Sequence, residues 1–309
     1  MKIGERIRFL IALTFILVQA PFFIAILFYA SLFPAGSGMA MRTRATFATL
    51  SAAMWIPFLG LRVSTQLSSA LKSPPKPNHV RMFLCTHQSF SDALTVALLF
   101  WMYRRWLGPG VALYKKELGS IPIMGQLQRF SGNIPVSRSG DTEAAKRAMD
   151  IAAQRVREGY HVSGFPEGSR RRTPSTGEAQ TQPLKKGFFH LVKTLCDAKT
   201  VVDIHPVVFA GSYRSWPIGR SIPIAGSKVS VRVGDAVTVS GQVDVDEMHS
   251  RFTRVIADEI DQLAPTYNAE IAFKKGYEID FLSLFGFETV LSVIPVLGVF
   301  FSQVFFSHS

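Results

Sequence analysis

The chain predicts an α/β domain held between two hydrophobic membrane segments, and three observations carry that reading. From residue 80 onward, short β-branched runs alternate with helical patterns, the signature of a sheet layered with helices. Long uncharged apolar runs stand near both ends. Only 18% of the 309 residues are charged while 48% are hydrophobic, and mean hydropathy is +0.21, a balance that fits a chain with lipid-facing surface.

The first element is the run Phe9 to Phe33, which contains no charge and is interrupted by Gln19 and Pro21. As a helix it measures about 37 Å against a hydrocarbon core of about 30 Å, enough to span with tilt. Lys2, Arg6 and Arg8 precede it as they would a signal peptide, but the run outlasts an h-region, so an anchor is the better reading. Ala45 to Leu61, with Trp55 and Pro57, is a second apolar stretch, at the short limit for a span and equally suited to lying in the interface. The polar, proline-rich SPPKPN of residues 73–78 then reads as a linker. Residues 1–72 are therefore expected to be membrane-anchoring helices, and 79–268 a folded domain.

Within that domain Val80–Cys85, Val111–Tyr114, Ile134–Ser137, His161–Phe165, Val201–Phe209 and Val229–Val239 read as strands. Asp92–Leu107 and Asp141–Glu158 are the firmest helices. The second sets Ala145, Ala148, Met149, Ala152 and Val156 on one face, with acids in its first turn, Arg155 and Arg157 near its last, and Gly159 just beyond. The polar stretch from Arg170 to Gln182 reads as a loop, and Lys185 and Lys186 open a helix containing Phe188 and Phe189. The tail, 269–309, returns to apolar composition: Phe281 to Phe306 carries Glu288 and Gln303 as its strongly polar positions and reads as a span or a membrane-embedded hairpin.

Charge and cysteine usage narrow the function. A formal charge of +12 favours an anionic partner, whether phospholipid headgroup, phosphorylated substrate or nucleic acid. No nucleic-acid recognition motif is present, and the lipid-facing segments argue against that partner. Cys85 and Cys196 lack companions at metal-ligand spacing, so neither a disulfide framework nor a zinc site is supported, and a reducing compartment is the easier reading.

The densest chemistry lies where the Val80–Cys85 strand ends, in Thr86-His87-Gln88-Ser89-Phe90-Ser91-Asp92. If the loop curls back, Asp92 accepts from one nitrogen of His87 and leaves the other basic. Taken alone, Asp92 also reads as an ordinary helix N-terminal charge and His87 as a loop residue. No G-x-S-x-G elbow occurs, so no hydroxyl is set up as an enzyme nucleophile.

Four further blocks follow in order: Lys115-Lys116-Glu117-Leu118 with Ile121 to Gly125, Gly132 to Arg138, Phe165-Pro166-Glu167-Gly168-Ser169-Arg170, and Ile204-His205-Pro206-Val207-Val208. With the HxxxxD they resemble the glycerolipid acyltransferase family, most closely the lysophosphatidic acid acyltransferases, over roughly residues 80–240. The resemblance implies a mixed sheet flanked by helices, with 79–268 as the catalytic domain. It makes His87 the general base and Asp92 its orienting partner. It puts Lys116, Arg138, Glu167, Gly168 and Arg170 at the acyl acceptor, with Lys116 and Arg170 toward its phosphate, and Pro206 on the acyl-donor side. Pro135 and Ser137 stand where the family often has an aromatic and an aspartate, which leaves acceptor choice open. His205 reads as structural.

The activity so implied is transfer of a fatty acyl group from acyl-CoA or acyl carrier protein to the free hydroxyl of 1-acylglycerol-3-phosphate, giving phosphatidic acid. The co-substrate brings the activated acyl group, and no metal or other cofactor is expected. The expected partners are a lysophospholipid, the acyl donor and a phospholipid membrane, with no nucleic acid. The expected location is an integral membrane position, endoplasmic reticulum in a eukaryote or inner membrane in a bacterium, with the catalytic domain cytosolic. Two other readings stand beside it: remodelling of lysophosphatidylcholine or lysocardiolipin, and a non-catalytic membrane lipid-binding protein.

Overall fold

The computed structural model describes residues 38–268 apart from 104–106, 122–123, 138–141, 171–182, 217–223 and 225. The apolar runs at 9–33 and 281–306 lie outside the described residues, as does Arg138. Among the described residues, no helix is long and apolar enough to cross a membrane.

Among the described residues, eight strands form one mixed sheet. In chain order they are β1 (Arg62–Leu67), β2 (His79–Cys85), β3 (Gly110–Lys115), β4 (Ile134–Val136), β5 (His161–Gly164), β6 (Val201–Ala210), β7 (Lys228–Val233) and β8 (Val237–Val239). Across the sheet the order is β1-β7-β6-β2-β5-β3-β4, with β8 on the same edge of β6 as β7. Strands β2 to β6 pair in parallel, while β7 and β8 run antiparallel to β6. The central strand β2 is buried over Arg81–Cys85, as expected of a parallel strand covered on both faces.

Helices cover both faces. On one side lie α1 (Gly38–Phe58) and α2 (Phe90–Met102), packed against each other and onto Phe83, Cys85, Phe209 and Val229. On the other lie α4 (Thr142–Arg157), α5 (Gly187–Asp197) and α7 (Val245–Asn268), whose Ala152, Phe189, Leu191, Phe252 and Ile256 meet Met82, Leu84, Val202 and Ile204. Two shorter helices, α3 (Met124–Phe130) and α6 (Ser212–Ser215), follow β3 and β6. Of the face that periodicity predicts in α4, Ala148, Ala152 and Val156 are buried while Ala145 and Met149 are half-buried, and Ala153 is buried beside them.

Two expectations need correction. The SPPKPN stretch does not divide the chain into an anchor and a domain, because β1 lies before it and pairs with β7 over its whole length, Arg62 opposite Lys228 through Leu67 opposite Val233. Helix α1 likewise packs on α2, so residues 38–72 belong to the same body as those after 79. The second correction concerns 229–239, expected as one strand. The chain breaks at Gly234, whose N–H reaches the carbonyl of Pro206 at 2.9 Å, and β7 and β8 take successive halves of β6. This seam explains a proline in a central strand. In extended chain a residue's N and C=O share a side, so the N–H that Pro206 lacks would face the gap between β7 and β8.

His161 at the start of β5 is buried at 3% exposure between Phe83 and Phe100. Its Nδ1 bonds the Leu107 carbonyl at 3.1 Å. Burial pushes this imidazole from its ordinary 6.5 down to about 3, so it is neutral in the folded protein. Its contribution is complete above pH 6.5 and shrinks as pH falls from 6.5 toward 3, where the unfolded chain takes a proton that the folded one refuses. The slope is at most about 1.4 kcal/mol per pH unit. Urea midpoints measured at pH 7 and pH 4.5 should therefore fall less in His161→Gln than in the unaltered protein. An equal fall would show that this imidazole contributes nothing to acid sensitivity.

Candidate active site

The parallel strands β2, β3, β5 and β6 all end on one edge of the sheet, where open α/β sheets gather their ligand-binding loops. Strands β2 and β5 are neighbours, with Leu84 opposite Gly164. Three residues further along each stand His87 and Glu167, and the register brings their loops together. One Glu167 oxygen, Oε1, accepts the backbone N–H of His87 at 2.8 Å.

The loop curls back as the HxxxxD spacing requires. Ser89 caps α2 and its side chain accepts from the first turn, while the Asp92 carboxylate reaches back to Ser89, completing a capping box. The same oxygen, Asp92 Oδ2, takes the N–H groups of Gln88 at 2.6 Å and Ser89 at 2.7 Å and meets His87 Nδ1 at 3.2 Å. Helix cap and imidazole partner are thus one atom, and both readings of Asp92 hold at once. An oxygen that already receives two backbone N–H groups acts as an acceptor, so Nδ1 carries the proton and Nε2 keeps its lone pair. Asp92 is 0% exposed and the His87 side chain 14%. The His87 ring packs on Phe165, centroids 4.3 Å apart.

A buried polar network braces the loop from the β6 side. Ser91 Oγ and Ser215 Oγ are 2.7 Å apart, Ser212 donates to Gln88 Oε1, and Ser89 donates to the Trp216 carbonyl. Ser212 and Ser215 follow directly on β6 in GSYRSW, a stretch the sequence did not single out; the β2–β6 pairing reveals its role.

Gly168 has φ +76, a conformation that favours glycine, and its N–H closes a turn on the Phe165 carbonyl. A Cβ there would also meet the Lys185 side chain, which lies across the turn within 2.7 Å. Arg170 sits with its guanidinium carbon 3.6 Å from the Phe90 ring centroid. Partial burial pushes this guanidinium down from its ordinary value, opposed by attraction to the Asp92 carboxylate.

The remaining expected residues are placed differently. Lys116 opens the exposed 3-10 turn after β3. It follows directly on the end of β3, whose neighbour β5 leads into the FPEGSR turn. Pro206 is buried within β6 opposite Leu84, a full strand segment before the loop edge. Glu167 turns inward to the His87 backbone. An oxyanion would need free N–H donors, but the backbone N–H groups of His87, Gln88, Ser89 and Gly168 all have partners. His205 is buried, bonded to the Gly234 carbonyl and stacked on Phe83, a packing role.

Known proteins resemble this chain in sequence and in fold. Residues 70–210 fit the Acyltransferase family model. A 1-acyl-sn-glycerol-3-phosphate acyltransferase of Cocos nucifera is 27% identical over 135 residues, which cover 44% of this chain and 39% of that protein. One from Haemophilus influenzae is 26% identical over 185 residues, covering 60% and 68%. A lyso-ornithine lipid O-acyltransferase of Rhodobacter capsulatus is 28% identical over 152 residues, covering 49% and 47%. The chain thus spans less than half the length of several curated relatives it matches. The crystal structure of the 1-acyl-sn-glycerophosphate (LPA) acyltransferase from Thermotoga maritima superposes with a TM-score of 0.61 over 83% of this chain and 93% of that one, at 20% identity, and so shares its fold.

Proposed function

We propose that this chain, which resembles the glycerolipid acyltransferases and among them the lysophosphatidic acid acyltransferases, transfers a fatty acyl group from a thioester to the free hydroxyl of 1-acylglycerol-3-phosphate. The observation that carries the reading is the oriented dyad: Asp92 Oδ2 on His87 Nδ1, with the opposite ring nitrogen left as a base. His87 Nε2 takes the hydroxyl proton as the oxygen attacks the thioester carbonyl. The C–S bond then breaks, the thiolate leaves, and the imidazolium returns the proton to the sulfur. A thioester is activated already, so no covalent enzyme intermediate is required. Ser89, Ser91, Ser212 and Ser215, the hydroxyls around the dyad, are buried and already engaged in hydrogen bonds.

Acyl-CoA or acyl carrier protein supplies the thioester, and Arg170, helped by Lys116 and, as the resemblance implies, by Arg138, faces the acceptor's phosphate. One charged hydrogen bond of this kind contributes about 1.5–3 kcal/mol. The product is phosphatidic acid. Membrane attachment rests on the apolar sequence at 9–33 and 281–306, which would keep the site at the bilayer surface with its domain in the cytosol.

A second reading, acylation of another lysolipid, has its own support in Pro135 and Ser137 and in similarity to a relative named for lyso-ornithine lipid. Chromatography of the products from labelled donor and a panel of lysolipids separates the two. Lysophosphatidate should be the most rapidly labelled acceptor. Preferential labelling of any other lysolipid would replace the first reading with the second, and no labelled lipid at all would leave a lipid-binding protein.

A further inference from the structure

Phe90 is the one large apolar side chain of the dyad loop that stands exposed, at 40%. It is the first residue of α2, between the Ser89 cap and the Asp92 carboxylate, and the cap geometry fixes its backbone. Its ring is held too. Trp216 meets it in a T-shaped contact, centroids 5.6 Å apart, and the Trp216 carbonyl is tied to Ser89. The Arg170 guanidinium carbon lies over the Phe90 ring, 3.6 Å from its centroid.

We infer that Phe90 is a positioning residue that holds Arg170 for the acceptor's anionic headgroup, a role that rests on the acyltransferase reading above. A guanidinium stacked on a ring uses only its flat face. Its N–H groups lie at the edge, free to form a two-pronged bond with a phosphate. Ordering a long arginine side chain in advance also removes rotamer freedom that binding would otherwise cost. The stack therefore couples the dyad helix to the FPEGSR turn: the residue two before Asp92 sets where the cation of the neighbouring loop stands. A lysine cannot replace the arginine here, and an aliphatic residue cannot replace the ring.

The test is steady-state kinetics with lysophosphatidate for the unaltered protein, Phe90→Ala, Phe90→Leu, Phe90→Trp, Arg170→Gln and the Phe90→Ala/Arg170→Gln double variant, with thermal unfolding as a control. Phe90→Ala and Phe90→Leu should both raise KM by roughly 5- to 30-fold with kcat nearly kept, while Phe90→Trp restores it. In the Arg170→Gln background, Phe90→Ala should add little. Recovery by leucine would show that only apolar bulk matters and overturn the inference. So would a fall in kcat at constant KM, or an undiminished effect without Arg170. If Phe90→Ala does not fold, Phe90→Leu keeps the bulk and still lacks the π face. Inactivity of the unaltered protein toward every lysolipid would instead bring down the acyltransferase reading, a failure seen before any variant is compared.

Discussion

Replacing His87 with alanine is expected to slow acyl transfer by about 10²- to 10⁴-fold, the range that a positioned general base contributes. Folding should be almost unaffected. The loop is held by the His87 N–H on Glu167, the Gln88 and Ser89 N–H groups on Asp92, and the serine hydroxyl bridge to α6. None of these uses the imidazole. Asp92→Ala should differ in kind, losing activity and also the α2 cap, which contributes about 1 kcal/mol or more. Rates paired with urea unfolding for both variants check this. A His87→Ala protein as active as the original would remove the base from the mechanism, and equal destabilisation by the two variants would contradict the division of labour.

The second large effect lies far from the chemistry. Strand β3 begins at Gly110, and a Cβ there would lie 2.1 Å from Nε2 of His161. The ring cannot move aside, because Leu107 holds its Nδ1 and Phe83 and Phe100 pack on it. Gly110→Ala should therefore cost about 3 kcal/mol, at the upper end of overpacking penalties. The same substitution in a His161→Ala background should cost far less, since the collision is gone. Urea unfolding of the two single variants and the double variant measures the coupling. Additive losses would mean that the strand accommodates the methyl group by shifting, and that the close approach is not what requires glycine.

Much of the candidate site was legible in sequence because parallel strands turn linear spacing into proximity. Motifs placed just after successive β-runs end on one edge of a sheet, and the order HxxxxD, KKEL, FPEGSR follows that rule at His87, Lys116 and Arg170. The local pairing of His87 with Asp92 was legible for the same reason that helix caps are: three to five residues around a helix start have little freedom. Long-range assignments were harder. Strand β1 carries a plain alternating pattern, but its partner β7 lies more than 150 residues away, and the apolar helix before it and the prolines after it both suggest an anchor and its linker. The Gly234 break was invisible because the residues on both sides are equally β-branched. Glu167 was assigned to the acceptor by resemblance, whereas its inward turn follows from the Leu84–Gly164 register. The long helix α7 carries one buried face, Phe252, Ile256, Ile260 and Leu263, in a chain segment that offered no motif to draw attention to it.

In the proposed mechanism the nitrogen of His87 turned away from Asp92 removes the acceptor's proton. Mixing excess protein with labelled acyl donor and lysophosphatidate, and following a single turnover in the original protein and in His87→Ala, isolates that step. Labelled phosphatidic acid is expected from the first and a rate constant at least about 100-fold lower from the second. Matching rate constants, with the same labelled product from both, would contradict it.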